Sequence, residues 1–298
     1  GIPATGNKKL MRGILRDEMG FDGVLISDWA AIEETIYHGY CADKEDAAIR
    51  AVEAGVDIDM MTGIYCDNLC RLVREGKIPE SLVDECCMRI LELKNKLGLF
   101  ENPYKDADEE KEQQLILCKE HRELAREAAR KSFVLLKNEE QILPLDKTKK
   151  TAFIGPYVNS RNLMGSWSII GEAKDITTVE ETMAVEEAGN NVVCCQGSPM
   201  LGAEVILEGF TEENQATYTP EEEAKMLEEA LEAAKKADQV VLFIGEDRLQ
   251  SGEATSNATI QIPQIQQNLL ERVAEINENI AVVLFSGRPL DLRDVQVK

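Results

Sequence analysis

Three carboxylates stand where a chain can do acid–base or nucleophilic work. Asp28 follows a short apolar run, residues 24–26, with only Ser27 between, in the stretch GFDGVLISDWAAIEE. Glu246 and Glu253 project from GEDRLQSGEATSNATIQIPQIQQNLL, residues 245–270, where an apolar run gives way to a long polar loop. A carboxylate at the carboxyl end of a buried parallel strand occupies the place where barrels and open α/β sheets build their sites. The same place suits a helix N-cap, and Asp28 could equally cap a helix opening at Trp29 and Ala30. Trp29 reads either as core filling or as a flat wall beside the carboxylate. The loop reads either as a solvated acidic segment or as one of the long strand-end loops that tend to carry function.

Other chemistries lack their equipment. No GxGxxG follows a strand, and no GxxxxGK[ST] loop is present, which counts against nucleotide binding. No GxSxG occurs, and His38 and His121 have no evident Ser or Cys partner. The acidic residues lack EF-hand spacing, and the cysteines lack zinc-site spacing. Carboxylates remain the main resource, and two carboxylates flanking a sugar are the usual equipment for glycoside hydrolysis.

The elements that must hold these groups alternate along the chain. A helix is expected over 7–19, with Leu10, Met11, Ile14 and Leu15 on one face, and short strands over 24–26 and 56–60. Helices follow over 43–54, 66–76 and 79–97. Residues 101–114 are polar and acidic, a linker or the solvated start of a helix, and a long helix is expected over 121–136. Strands at 151–154, 191–195, 239–244 and 280–285 then alternate with helices at 178–188, 220–236 and 263–277. This is the pattern of βαβ units and a parallel sheet. The expected domains are 1–104, a connecting segment 105–147, and 148–298.

Of the 298 residues, 44% are apolar, enough for a real core, and the net charge is −22. That charge argues against nucleic acid and anionic membrane surfaces as partners, and no apolar run is long enough to span a bilayer. Eight cysteines without a disulfide or metal pattern read as free buried thiols in a reducing compartment, hence a cytoplasmic location. Nothing in the sequence decides against a homo-oligomer.

Several motifs together resemble one family. The run PATGNKKLMRGILRDEMGFDGVLISDWAAIEE is similar to glycoside hydrolase family 3, the β-glucosidase and β-xylosidase group. AVEAGVDIDM, GLFENPY, HRELAREAARKSFVLLKNEEQILPL, GSWS, SGEATS and VVLFSGRPLDL continue the resemblance in order, over nearly the whole chain. The resemblance implies an α/β fold: the C-terminal portion of a (β/α)8-type barrel, followed by a parallel-sheet α/β sandwich, with the active site between them. It implies Asp28 as nucleophile, Trp29 as a wall of the sugar subsite and Glu253 as general acid/base. Ser166 and Ser168 of GSWS are candidates to reach the sugar, against a plain turn-and-packing role. The family pattern usually continues with Ser-Arg after SGEAT, whereas this chain has Ser256-Asn257, which keeps Glu246 as a reserve for the acid.

The implied chemistry is retaining hydrolysis of a terminal β-glucosyl or β-xylosyl residue of an oligosaccharide or other β-glycoside. It needs two carboxyl groups about 5–5.5 Å apart and, as the resemblance implies, no metal or organic cofactor. Asp28 must stay ionised and Glu253 must hold a proton near neutral pH. Only two barrel strands precede the second domain, so the chain is expected to be an internal piece of a longer enzyme, with little activity alone. The other reading is a non-catalytic carbohydrate-binding or interaction module on the same fold.

Overall fold

The computed structural model describes residues 1–139, 141–165, 167–168, 171–185, 191–202, 218–253 and 255–295. The chain divides into two compact units, Gly1–Ser132 and Phe133–Lys298.

The first unit is helical around one short parallel pairing. Its helices are α1 (Ala31–Tyr37), α2 (Lys44–Ala54), α3 (Ile64–Arg74), α4 (Glu80–Lys96), α5 (Glu109–Leu115) and α6 (Lys119–Ser132). Asp43 caps α2 by accepting from the Asp46 amide, and Gly55 ends it in the left-handed region. Ile32, Ala48, Val52, Ile64 and Leu72 pack together, essentially without solvent contact, as the core of this unit. Residues 101–114 form neither a plain linker nor one helix: turns lead into α5, which Asp108 caps.

Four elements differ from the sequence-based expectation. The first helix spans Lys9–Glu18 and is wound wide, with i→i+5 bonds such as Met19 N to Ile14 O. That winding brings Arg12 and Arg16 into line over the end of α2, where they donate to the carbonyls of Glu53 and Gly55. The expected strands at 24–26 and 56–60 reduce to one parallel bridge, Ile26 with Ile58. The reason lies in Asp57, whose Oδ2 takes the Leu25 amide at 2.8 Å and so replaces a ladder bond. The helix expected to reach residue 136 ends at Ser132, just before Phe133 and Val134, two residues of lower helix propensity than the alanines of the preceding turns.

The second unit contains strands β1 (Thr151–Ile154), β2 (Val192–Cys195), β3 (Gln239–Gly245) and β4 (Ile280–Phe285) and helices α7 (Val179–Val185), α8 (Pro220–Lys236) and α9 (Gln264–Ala274). Among the described residues the strands form a four-stranded parallel sheet in the order β2-β1-β3-β4. The expected helix over 178–188 is described only as far as Val185. Every residue of β3 is buried, as a continuous apolar run predicts. Val240, Leu242 and Ile244 face Ala230, Leu269 and Val273 of the helices, while Val241 and Phe243 pack with Tyr157 on the other face. Thr219 and Glu222 form a reciprocal capping box on α8.

The cysteines are free, but only Cys41 and Cys86 are buried. Cys66, Cys70 and Cys87 are exposed, because α3 and α4 each keep a face toward water. Among the described residues, no helix is long and apolar enough to cross a membrane.

Candidate active site

Asp28 stands at the exit of the paired segment in the first unit. Ser27 fixes the backbone there. Its buried hydroxyl donates to the Asp28 carbonyl at 2.9 Å and accepts from the Met60 amide at 2.9 Å. Ser27 N also donates to the Ile58 carbonyl at 2.9 Å. Asp28 itself is exposed, and its Oδ1 accepts from the Trp29 amide at 2.7 Å. Oδ2 has no hydrogen-bond partner among the described residues. One oxygen is therefore oriented and the other is available.

The helix-cap alternative for Asp28 is corrected by this geometry. Helix α1 begins at Ala31, and its cap position is Ala30, in the left-handed region with no side-chain cap bond. The intervening turn keeps the Asp28 carboxylate off the free amides of α1. Ala30 (φ 57°) and Met61 (φ 78°) are both non-glycine residues held left-handed, one at the exit of each paired segment. Such conformations cost about 1–3 kcal/mol each and cluster at functional sites. Trp29 is not core filling: it is 65% exposed.

Asp59, beside this exit, is spoken for. It accepts from the Thr62 hydroxyl at 2.6 Å and from the Tyr65 amide at 3.3 Å, and so sets the start of α3.

In the second unit, the loop between β3 and α9 carries the other carboxylates. Glu253 is exposed on it. Glu246 is 3% exposed and lies in the fork of Arg288, at 2.7 Å from Nη2 and 3.1–3.2 Å from Nε. The pairing raises the Arg288 guanidinium above its usual range. Both oxygens of Glu246, the reserve candidate for the acid, are thus engaged by this one guanidinium.

Next to it, burial pushes the Asp247 carboxyl above the usual carboxylate range, against the pull of the Leu249 amide, Arg248 and Asn162. Burial likewise raises the Tyr157 phenol, whose hydroxyl donates to the Glu246 carbonyl.

Of the GSWS serines, Ser166 lies outside the described residues. Ser168 donates through both its amide and its hydroxyl to the Gly165 carbonyl, at 3.0 and 2.8 Å, which is a turn role. The neighbouring Trp167 is 70% exposed, an open indole that the sequence argument passed over in favour of the serines. Sequence reasoning also missed Asp57, Asn162, Asp247 and Arg288. A charged residue inside the apolar run VDIDM was the available signal for Asp57. No group of three His, Cys, Asp or Glu side chains that could hold a metal ion occurs among the described residues.

Comparison with known proteins gives concordant matches in both units. Residues 1–93 match the model for the glycosyl hydrolase family 3 N terminal domain, and residues 133–298 match the family 3 C-terminal domain. A periplasmic beta-glucosidase of Salmonella typhimurium is 37% identical over 98% of this chain and 39% of its own length. A beta-xylosidase of Formosa agariphila is 31% identical over 98% of this chain and 40% of its own. The crystal structure of a beta-glucosidase from Listeria innocua in complex with isofagomine superposes with a TM-score of 0.85 at 39% identity, covering 99% of this chain and 38% of that one. A mutant of that enzyme has been solved in complex with laminaribiose, with a TM-score of 0.84 at 38% identity over 98% of this chain and 37% of that one. The chain thus spans about two fifths of the length of the relatives it matches.

Proposed function

The chain belongs to glycosyl hydrolase family 3, and from that premise we propose that it supplies both reacting carboxylates of a retaining β-glycosidase. The first unit is then part of a (β/α)8-type barrel and the second a parallel-sheet α/β sandwich. The observation that carries the reading is Asp28: a carboxylate at a strand exit, one oxygen oriented by the Trp29 amide and the other open.

In the proposed reaction Asp28 Oδ2 attacks the anomeric carbon and displaces the aglycone oxygen, which takes the proton of Glu253. A covalent glycosyl-enzyme forms. Glu253 then removes a proton from water, the water oxygen attacks the anomeric carbon, and Asp28 leaves as carboxylate. Two inversions give net retention. Trp29 presents its exposed indole as a stacking wall for the sugar ring. Ser168 is left out of the site, since its hydroxyl is engaged with Gly165.

The substrate class is a terminal β-glucosyl or β-xylosyl residue. Support comes from relatives named beta-glucosidase and beta-xylosidase and from a neighbour solved with laminaribiose. Because the match covers about two fifths of those relatives, the 298 residues alone are proposed to turn over little substrate. The eight free cysteines support a reducing compartment. In the full-length protein, Asp28→Ala is expected to lower kcat/KM for an aryl β-glucoside by ~10³-fold or more, as loss of a nucleophile does. Activity unchanged by that substitution would remove the assignment.

A further inference from the structure

The loop that carries Glu253 leaves β3 at Glu246 and reaches α9 at Gln264. A loop of that length has many conformations, and an acid/base needs one of them. A single side chain ties its two ends. Arg288, in SGRPLDL just after β4, holds Glu246 Oε1 with Nη2 at 2.7 Å and Oε2 with Nε at 3.1 Å. The same Nη2 donates to the Thr259 carbonyl at 2.7 Å. Glu246 is the first residue of the loop and Thr259 lies near its end, so the guanidinium closes the neck between them.

The surroundings make this clasp rigid. The Glu246 side chain is 1% exposed, so Arg288 meets its two carboxylate oxygens in place of water. The Asp291 amide donates to the Ile260 carbonyl at 2.7 Å, a second tie from the same segment to the same end of the loop. Ser251, two residues before Glu253, sits over Gly287, where a Cβ would run into its Oγ. The planar fork matters here. A lysine could keep the charge opposite Glu246, but a single ammonium does not reproduce the donor geometry that spans carboxylate and carbonyl.

We propose that Arg288 is a positioning residue for Glu253, closing the neck of the β3–α9 loop so that the carboxyl at its crown stands in one place. This rests on the assignment of Glu253 as acid/base.

The test compares wild type, Arg288→Lys and Glu253→Gln in the full-length protein. Arg288→Lys is chosen because Arg288→Ala would leave the buried Glu246 unpaired and endanger the fold. Two quantities are read: amide hydrogen exchange over residues 247–261, and kcat/KM for a dinitrophenyl β-glucoside against an alkyl β-glucoside, whose leaving group needs the proton. For Arg288→Lys, loop exchange is expected to quicken by ~10-fold or more, and the alkyl substrate to lose ~10-fold or more while the dinitrophenyl substrate changes less than about 2-fold. Unchanged loop exchange, or an equal loss on both substrates, overturns the proposal. Glu253→Gln separates the two ideas. If it discriminates between the leaving groups and Arg288→Lys does not, the clasp alone is wrong. If Glu253→Gln does not discriminate, the acid/base assignment falls and the positioning role falls with it.

Discussion

Arg89 reaches from α4 to Asp57 and places Nε at 2.9 Å and Nη2 at 2.8 Å from the same carboxylate oxygen, Oδ1. The other oxygen is taken by Arg16 Nη2 at 3.0 Å and by the Leu25 amide. Asp57 thus joins the first helix, α4 and the bridged segment leading to Asp28, with its own side chain fully enclosed.

Removing this anion leaves two largely buried guanidiniums without their counter-charge. Burial already holds the Arg16 guanidinium below its usual range, with repulsion from Arg89 adding to it. Asp57→Ala is therefore expected to destabilise the first unit by about 3–5 kcal/mol. Urea unfolding followed by hydrogen exchange in α4 measures it, and a loss near zero would show that Asp57 does not hold the unit together.

Asp247 makes stability depend on pH in a defined sense. Its folded carboxyl is raised by burial, so the folded state holds the proton more tightly than the unfolded state. Its contribution is complete below about pH 4, the unfolded value, and is lost as pH rises through the folded value. Asp247→Asn cannot ionise. Wild-type stability minus variant stability should therefore fall between pH 4 and pH 7 in urea titrations, and a difference that grows with pH contradicts the assignment.

The thiols should separate by burial. Burial pushes Cys86 and Cys195 up to about 12, whereas Cys66, Cys70 and Cys87 are exposed. Alkylation with iodoacetamide at pH 8, mapped by mass spectrometry, should label the exposed three first, with Cys86 and Cys195 slower by ~10²-fold or more. Equal labelling in the native protein would show that these sites open readily.

Much of this was legible in the sequence, for physical reasons. Each sandwich strand is an apolar run between turn signals, so β1, β2, β3 and β4 were readable to within a residue. Asp28, Trp29 and Glu253 drew notice by their places at a strand end and on a long loop, but pattern alone left them open to cap, core and solvated-loop readings, and only the family resemblance gave them roles. What stayed hidden depends on distant partners. Whether the Glu246 carboxylate is open or engaged is decided by Arg288, more than forty residues away. Whether residues 24–26 form a ladder is decided by Asp57 taking the Leu25 amide. Local pattern carries no information on either.

The most direct measurement on the central claim is covalent trapping of the nucleophile. The full-length protein would be incubated with an activated 2-deoxy-2-fluoro-β-glucoside, digested and mapped by mass spectrometry. The fluorine slows both steps and the good leaving group speeds only the first, so the glycosyl-enzyme accumulates. The adduct is expected on the peptide that holds Asp28, with none in Asp28→Ala. A glycosyl adduct on any other residue, or hydrolysis with retention that survives loss of Asp28, would contradict it.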